Sequence, residues 1–230
     1  MSKNRMVAII IVLLTILSIY QLYNSEYNIR NNDSEIERAI MEFTTPFENS
    51  RGVENPVIII KKEFEGNLLV FYSDKNIDEL LGFTYLKKGI NGKYQIRRTI
   101  YGPGNIAIEV YYFETSKNNY IAVGGSGYNI KISLYKLFGW KDELLAEGEV
   151  NGKDFLRIYE VSSETYPVIK VFDDTRTDIT RELWNKYENI PGAGVGKAEL
   201  FMLNVYIVII LIIGFIISKY FWKKDMSETW

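Results

Sequence analysis

MVAIIIVLLTILSIYQLY at residues 6–23 and LFMLNVYIVIILIIGFIIS at residues 200–218 decide the architecture, because each run is long and apolar enough to cross a bilayer as a helix. Everything between them then lies on one side of the membrane. Lys3 and Arg5 precede the first run, and Lys219, Lys223 and Lys224 follow the second. Basic flanks stay on the cytoplasmic side, so both termini are expected in the cytoplasm and the middle outside. The expected layout is a cytoplasmic N-terminus (1–5), a first membrane helix (6–23), an extracytoplasmic β-rich domain (24–190), a glycine-rich juxtamembrane tether (191–199), a second membrane helix (200–218) and a cytoplasmic tail (219–230).

Each run has an alternative. A basic start followed by an apolar stretch also describes a cleaved secretory leader. However, Tyr20-Gln21-Leu22-Tyr23-Asn24-Ser25 offers no good pair of small residues for cleavage, and a chain without cysteine has no lipoprotein amino terminus. The second run as a buried core helix is disfavoured because only Asn204, Tyr206 and Gly214 interrupt it, and a helix apolar all round belongs in lipid. Tyr20 and Tyr23, and Tyr220, Phe221 and Trp222, suit the two membrane interfaces. Counted from the run ends, Ser18 and Asn204 fall at matching depth, with Gln21 one turn nearer the surface. Asn204 is therefore expected to hydrogen-bond Ser18 or Gln21, within one chain or across a homodimer, unless it reaches the headgroup region instead.

Composition narrows what the middle does. Between Asn24 and Ser218 there are 22 basic against 27 acidic residues, a formal charge of −5, which disfavours a nucleic-acid partner. The chain holds neither His nor Cys. That excludes a Ser-His-Asp triad, a Cys-His pair, a thiol redox centre, disulfides and the usual structural zinc site. Paired carboxylates, Ser-Lys arrangements and tyrosine survive as catalytic options.

Within the middle, Ser34 and Glu37 form a capping box ahead of Ile36, Ile40, Phe43 and Phe47, predicting an amphipathic helix from Ser34 to about Phe43. From Val57 the pattern turns to short β-branched and apolar runs. Val57–Lys61 and Leu68–Tyr72 read as strands covered on both faces, joined at Gly66-Asn67. Asn91-Gly92 and Asn151-Gly152 predict two tight hairpins, pairing 81–87 with 94–100 and 144–150 with 155–161. Ile106, Ile108, Val110 and Tyr112 alternate, as do Tyr128, Ile130, Ile132 and Leu134; a last strand spans Val168–Phe172, and Asp178–Tyr187 suits a short helix. The fold class is mainly β: an antiparallel extracytoplasmic domain of about nine strands with an N-terminal amphipathic helix, flanked by two transmembrane helices.

The order of VIIIKKEFEGNLLVFY, LLGFTYLKKGINGKY, AVGGSGYNIKISLYKLFGW, GKDFLRIYEV and VIKVFDDTRTDIT resembles a loose group of uncharacterised Gram-positive bacterial exported proteins, in which a two-part β domain follows a signal or anchor helix. The resemblance implies a compartment and a β domain and carries no activity or site residue. This chain departs from the group by its second membrane helix and by Arg176-Thr177 where the others tend to have a glycine turn.

Four local features bear on a site. Gly124-Gly125-Ser126-Gly127 has no helix start behind it to make a phosphate loop, so a turn or bulge is expected. Gly192, Gly194 and Gly196 read as the tether. Asp173, Asp174, Asp178 and Glu182 are candidate calcium ligands, weighed against a solvated turn and helix start with Arg176 and Arg181 as partners. The aromatics Tyr111, Tyr112, Phe113, Tyr120, Tyr128, Trp140 and Trp184 offer either a stacking surface or core. The expectation is a non-enzymatic interaction or sensing module at the cell envelope, without cofactor or metal, contacting a protein or cell-wall polymer through Tyr128, Trp140 and the adjoining Gly124, Gly125 and Gly127. The alternatives are an accessory subunit of a transporter or signalling complex, and a carboxylate-dependent cell-wall hydrolase.

Overall fold

The computed structural model describes residues 2–45, 52–77, 80–103, 107–115, 117–126, 132–162, 167–184, 193–196 and 199–227. It divides into two compact units. One comprises Met1–Asn28, Gly89–Gln95 and Lys197–Trp230, the other Ile29–Lys88 and Ile96–Gly196.

The first unit is built on helices α1 (Lys3–Glu26) and α4 (Glu199–Ser227), both long and apolar enough to cross a membrane, with a mean hydropathy of 2.3. They run antiparallel: the Arg5 guanidinium lies over Trp222, Ser218 Oγ donates to the Ala8 carbonyl, and Gly214 faces Thr15. The contact seam follows a three-and-four spacing, Ala8, Ile11, Thr15, Ile19 and Leu22 against Leu203, Ile207, Ile210, Gly214 and Ser218, which keeps one stripe of each helix facing its neighbour. Gly214 is needed there because a Cβ would collide with the Thr15 side chain. Other apolar side chains, Leu13 and Ile212 among them, stay exposed, as lipid-facing positions do.

The expected bond from Asn204 to Ser18 or Gln21 is not formed within the chain. All three residues sit off the seam and are exposed. The antiparallel register places Asn204 beside the 23–25 segment, about 9 Å along the axis from Ser18, because α1 continues past Tyr23 to Glu26.

The second unit is a stack of layers. Helix α2 (Asp33–Thr44) buries Ile36 and Ile40 and packs on strand β1 (Pro56–Phe64). Its cap is Asn32, not Ser34: Asn32 Oδ1 accepts from the Glu35 amide at 2.9 Å, and Ser34 Oγ spends its proton on the same oxygen. β1 begins a five-stranded antiparallel sheet in the order β1-β2-β3-β4-β11, with β2 (Asn67–Asp74), β3 (Leu80–Lys88), β4 (Tyr94–Pro103) and β11 (Ala193–Gly196). The β1–β2 turn is Glu65-Gly66, one residue earlier than expected, both with positive φ. β2 is covered on both faces, whereas β1 is only half-buried. Residues 193–196, expected as tether, pair with β4 instead; Gly192 lies outside the described residues.

Two three-stranded antiparallel sheets follow. One has the order β5-β6-β9, from β5 (Ile108–Glu114), β6 (Asn119–Ser126) and β9 (Asp154–Val161); the other has the order β10-β7-β8, from β10 (Val168–Phe172), β7 (Leu134–Phe138) and β8 (Leu144–Glu149). A short helix, α3 (Thr180–Trp184), closes the unit's described order before β11. The β5-β6-β9 sheet is the middle layer. Tyr111, Phe113 and Ala122 pack on Phe71 and Phe83 of the five-stranded sheet, while Ile121, Val123 and Phe155 pack on Tyr135, Leu137 and Val171 of the other. Each fully buried ring or branched side chain contributes about 1.5–3 kcal/mol.

This stacking corrects two expectations. Asn151-Gly152 does not close a hairpin: β8 pairs with β7 and β9 with β6, so the dipeptide, with Gly152 at φ 94°, carries the chain from one sheet to the next. Gly124 and Gly125 of the glycine cluster are not in a turn. Gly124 and Gly125 lie inside β6, paired on both sides, because a Cβ at 124 would stand 2.7 Å from the rings of Phe71 and Phe83, and one at 125 would enter the Phe155 ring. Of the alternating run Tyr128, Ile130, Ile132 and Leu134, residues 128–131 lie outside the described residues, Ile132 is not in a strand, and β7 begins only at Leu134; β6 and β11 were not expected, and the described residues contain eleven strands.

Candidate functional site

The β10-β7-β8 sheet turns Tyr135 and Leu137 into the core and leaves its other face uncovered by any described element of its unit. On that outer face the register forms three rows: Val168, Phe138 and Leu144; Lys170, Lys136 and Glu147; Phe172, Leu134 and Glu149. A sheet face meant only for water alternates to polar residues. Here two of the three rows are mainly apolar. At the apolar end Val168 is 60 % and Leu144 49 % exposed, and the single 3-10 turn Trp140–Asp142 between β7 and β8 holds out Trp140 at 85 % exposure. A register shift between Leu137 and Phe138 and the positive φ of Asp142 set the direction of this turn. The lysine stems lie across the aromatic rings: Lys170 Nζ is 5.0 Å from the Phe138 centroid and Lys136 Nζ 5.8 Å from that of Phe172, while Lys136 also pairs with Glu147 at 3.4 Å.

At the opposite end the face deepens into a cavity of about 630 Å³ whose lining includes Leu134, Lys136, Glu149, Arg157, Phe172 and Arg176. Arg157 Nη2 donates to the Glu149 carbonyl at 2.6 Å, and its guanidinium lies 6.0 Å from the Tyr135 and Phe155 ring centroids. The Tyr135 and Tyr159 hydroxyls are hydrogen-bonded at 2.6 Å, and Tyr159 donates onward to the Glu147 carbonyl. Burial, with the bond to Tyr159, raises the Tyr135 pKa far above its ordinary value. A phenol so held stays protonated at neutral pH, which suits hydrogen bonding and stacking rather than nucleophilic attack.

The predicted residues divide. Trp140 is on the surface. Gly124 and Gly125 are buried in β6, and Gly127 and Tyr128 lie outside the described residues. Tyr111, Phe113 and Tyr120 are core; Tyr112 is half-buried and donates to Glu114. The acidic residues do not converge as ligands. Asp173 Oδ1 accepts the amides of Thr175 and Thr177, closing a turn. Asp178 Oδ1 accepts the Thr180 amide, and its bonds to Thr180 hold its carboxyl below the usual range. Among the described residues no three of His, Cys, Asp and Glu are grouped to hold a metal ion.

Two features escaped the sequence. Nothing in the sequence sets Arg157 apart from other strand arginines; the stacking order puts its head at the rim of the neighbouring sheet. Glu109, on β5 opposite Gly124, keeps part of its surface exposed while burial pushes its carboxyl up to about 8, with the Val110 amide opposing. No known protein family, curated protein or solved structure matches the chain.

Proposed function

We propose that the chain is a two-pass membrane protein whose β unit lies on the extracytoplasmic side of a bacterial cell envelope and works by binding rather than catalysis. The observation that carries this reading is Trp140, 85 % exposed beside the outward row of Val168, Phe138 and Leu144. Exposed indole next to a half-apolar sheet face is a surface for stacking on sugar rings or for a protein hot spot. The basic residues at the outer ends of both apolar helices, Lys3 and Arg5 in one and Lys219, Lys223 and Lys224 in the other, support cytoplasmic termini. The net acidity of the middle segment argues against a nucleic-acid partner.

The test is retention of the detergent-solubilised full chain on purified cell wall and, separately, on solubilised envelope proteins. Trp140→Ala is expected to lower retention on one of the two by about tenfold, the loss of one aromatic anchor. Retention on wall identifies a polymer ligand, and retention on protein favours an accessory subunit of a larger complex. Undiminished retention of both Trp140→Ala and Phe138→Ser would sink this surface. The hydrolase reading has Glu109 as its acid, and Glu109→Gln abolishing turnover of cell-wall material would favour it.

A further inference from the structure

The loop joining β3 to β4 is the sequence KKGINGK at residues 87–93, and its apex is fastened to the end of α1. The Ile90 amide donates to Tyr23 Oη at 2.9 Å; Asn91 Nδ2 donates to Asn24 Oδ1 at 2.7 Å and to the Tyr27 carbonyl at 2.8 Å; Gln95 Nε2 donates to Glu26 at 2.6 Å. The Tyr23 and Tyr27 rings stack at 4.6 Å over Gly89, where a Cβ would stand 2.6 Å from the Tyr27 ring. The apex is closed by bonds from Gly89 N to the Lys93 carbonyl and from Gly92 N to the Gly89 carbonyl, and only Gly92 takes a positive φ. The loop is thus wider than the two-residue turn that Asn91-Gly92 predicted, and it leaves the Asn91 side chain free to reach the helix.

This lock fixes the height of Ile90. Its backbone is bonded to a tyrosine hydroxyl at the end of an apolar helix, and tyrosines in that position sit at the headgroup level. Ile90 is nevertheless 95 % exposed, the most exposed large apolar side chain among the described residues. An isoleucine held out at the apex of a short loop, with Lys87 and Lys88 before it and Lys93 after it, has no partner in its own unit. The boundary of a bilayer supplies one, an acyl region for the side chain and lipid phosphates for the ammonium groups.

We infer that the β3–β4 apex is a lipid-contacting wedge: Ile90 enters the headgroup and upper acyl layer while the flanking lysines bind lipid phosphates. It rests on the reading of α1 as a membrane span, and on neither the side of the membrane nor the ligand of the β unit.

The chain has no cysteine, so single cysteines report one position each. Ile90→Cys and Ser18→Cys variants of the full chain, labelled with an environment-sensitive fluorophore, are placed in nanodiscs of phosphatidylcholine with phosphatidylglycerol. Lipids spin-labelled at a shallow or a deep acyl position serve as quenchers. The label at 90 is expected to emit to the blue of its value in water and to be quenched most by the shallow probe, and the label at 18, about 7 Å below Tyr23, to be quenched with a larger share from the deep probe than the label at 90. Quenching at 18 with a water-like, unquenched label at 90 overturns the wedge and leaves the span standing; no quenching at either overturns both. In the Ile90→Cys background, Lys87→Gln, Lys88→Gln and Lys93→Gln together are expected to cut shallow quenching by about twofold. Unchanged quenching would remove the lysines from the proposal.

Discussion

The two three-stranded sheets of the β unit are built from similar letters and meet opposite fates. In β6 the run Tyr120, Ile121, Ala122, Val123, Gly124, Gly125 is buried on both faces, because the five-stranded sheet lies on one side and β10-β7-β8 on the other. In β7 only Tyr135 and Leu137 are buried; Leu134, Lys136 and Phe138 look outward. The difference is position in the stack, not composition. It separates a central strand packed on both faces from one whose outer face is left uncovered.

The largest expected effect tests the closed side. Gly124→Val puts a branched side chain where Phe71 and Phe83 already stand, with backbone held by pairing on both edges, and is expected to cost about 3 kcal/mol in chemical denaturation of the solubilised chain. The matched Lys136→Val on the open face should stay within about 0.5 kcal/mol. Equal losses would mean that the outer face is as covered as β6.

How much of this was readable follows from which interactions decide each feature. A long, predominantly apolar run reads as a helix whatever its neighbours, so both terminal runs were legible from their letters alone as helices apolar enough to cross a membrane. The alternation of Ile108, Val110 and Tyr112 was legible too, in β5, as was the turn at Asp173. Partnership was not: Asn151-Gly152 specifies a local backbone bend, but whether β8 and β9 then pair depends on which sheet each can bury itself in. Gly124-Gly125 misled for the same reason, since the smallness of Gly124 answers Phe71 and Phe83, some forty to fifty positions earlier in the chain, and that of Gly125 answers Phe155 on the next strand, rather than a turn. Tyr111, Phe113 and Tyr120 carry the same letters as a binding surface and became core because a third sheet closed over them.

A smaller effect probes Glu109, the acid of the closed sheet. Alternation puts it on the same face as Tyr111 and Phe113, turned toward the five-stranded sheet. Its folded pKa is pushed up to about 8 by burial, against about 4.3 for an unfolded glutamate. Between those values the folded state holds a proton that the unfolded state has released, so the stability contributed by this carboxyl is greatest below about pH 4.3 and falls as pH rises toward 8. Glu109→Gln should therefore stabilise the chain more at pH 8 than at pH 5, by about 1–3 kcal/mol once the carboxyl's partial exposure is allowed for. A gain that is equal at both pH values, read from paired denaturation curves, would place the carboxyl in water and open a sheet that the structure shows closed.

The smallest expected effect belongs to the open face. Lys136 and Glu147 face each other across β7 and β8 at 3.4 Å, with side chains 32 % and 56 % exposed, so water and salt screen their attraction. A double-mutant cycle of Lys136→Ala and Glu147→Ala should return a coupling of about 0.5 kcal/mol or less, shrinking further as salt is raised. The same pair beneath a bound partner would lose that screening, and its coupling would rise because the charges would then be shielded from solvent. The cycle run with and without cell-wall polymer or envelope protein thus reads occupancy of this face directly. A coupling that is large and salt-insensitive in the isolated chain would mean that something already covers the sheet, and the contrast with β5-β6-β9 would vanish.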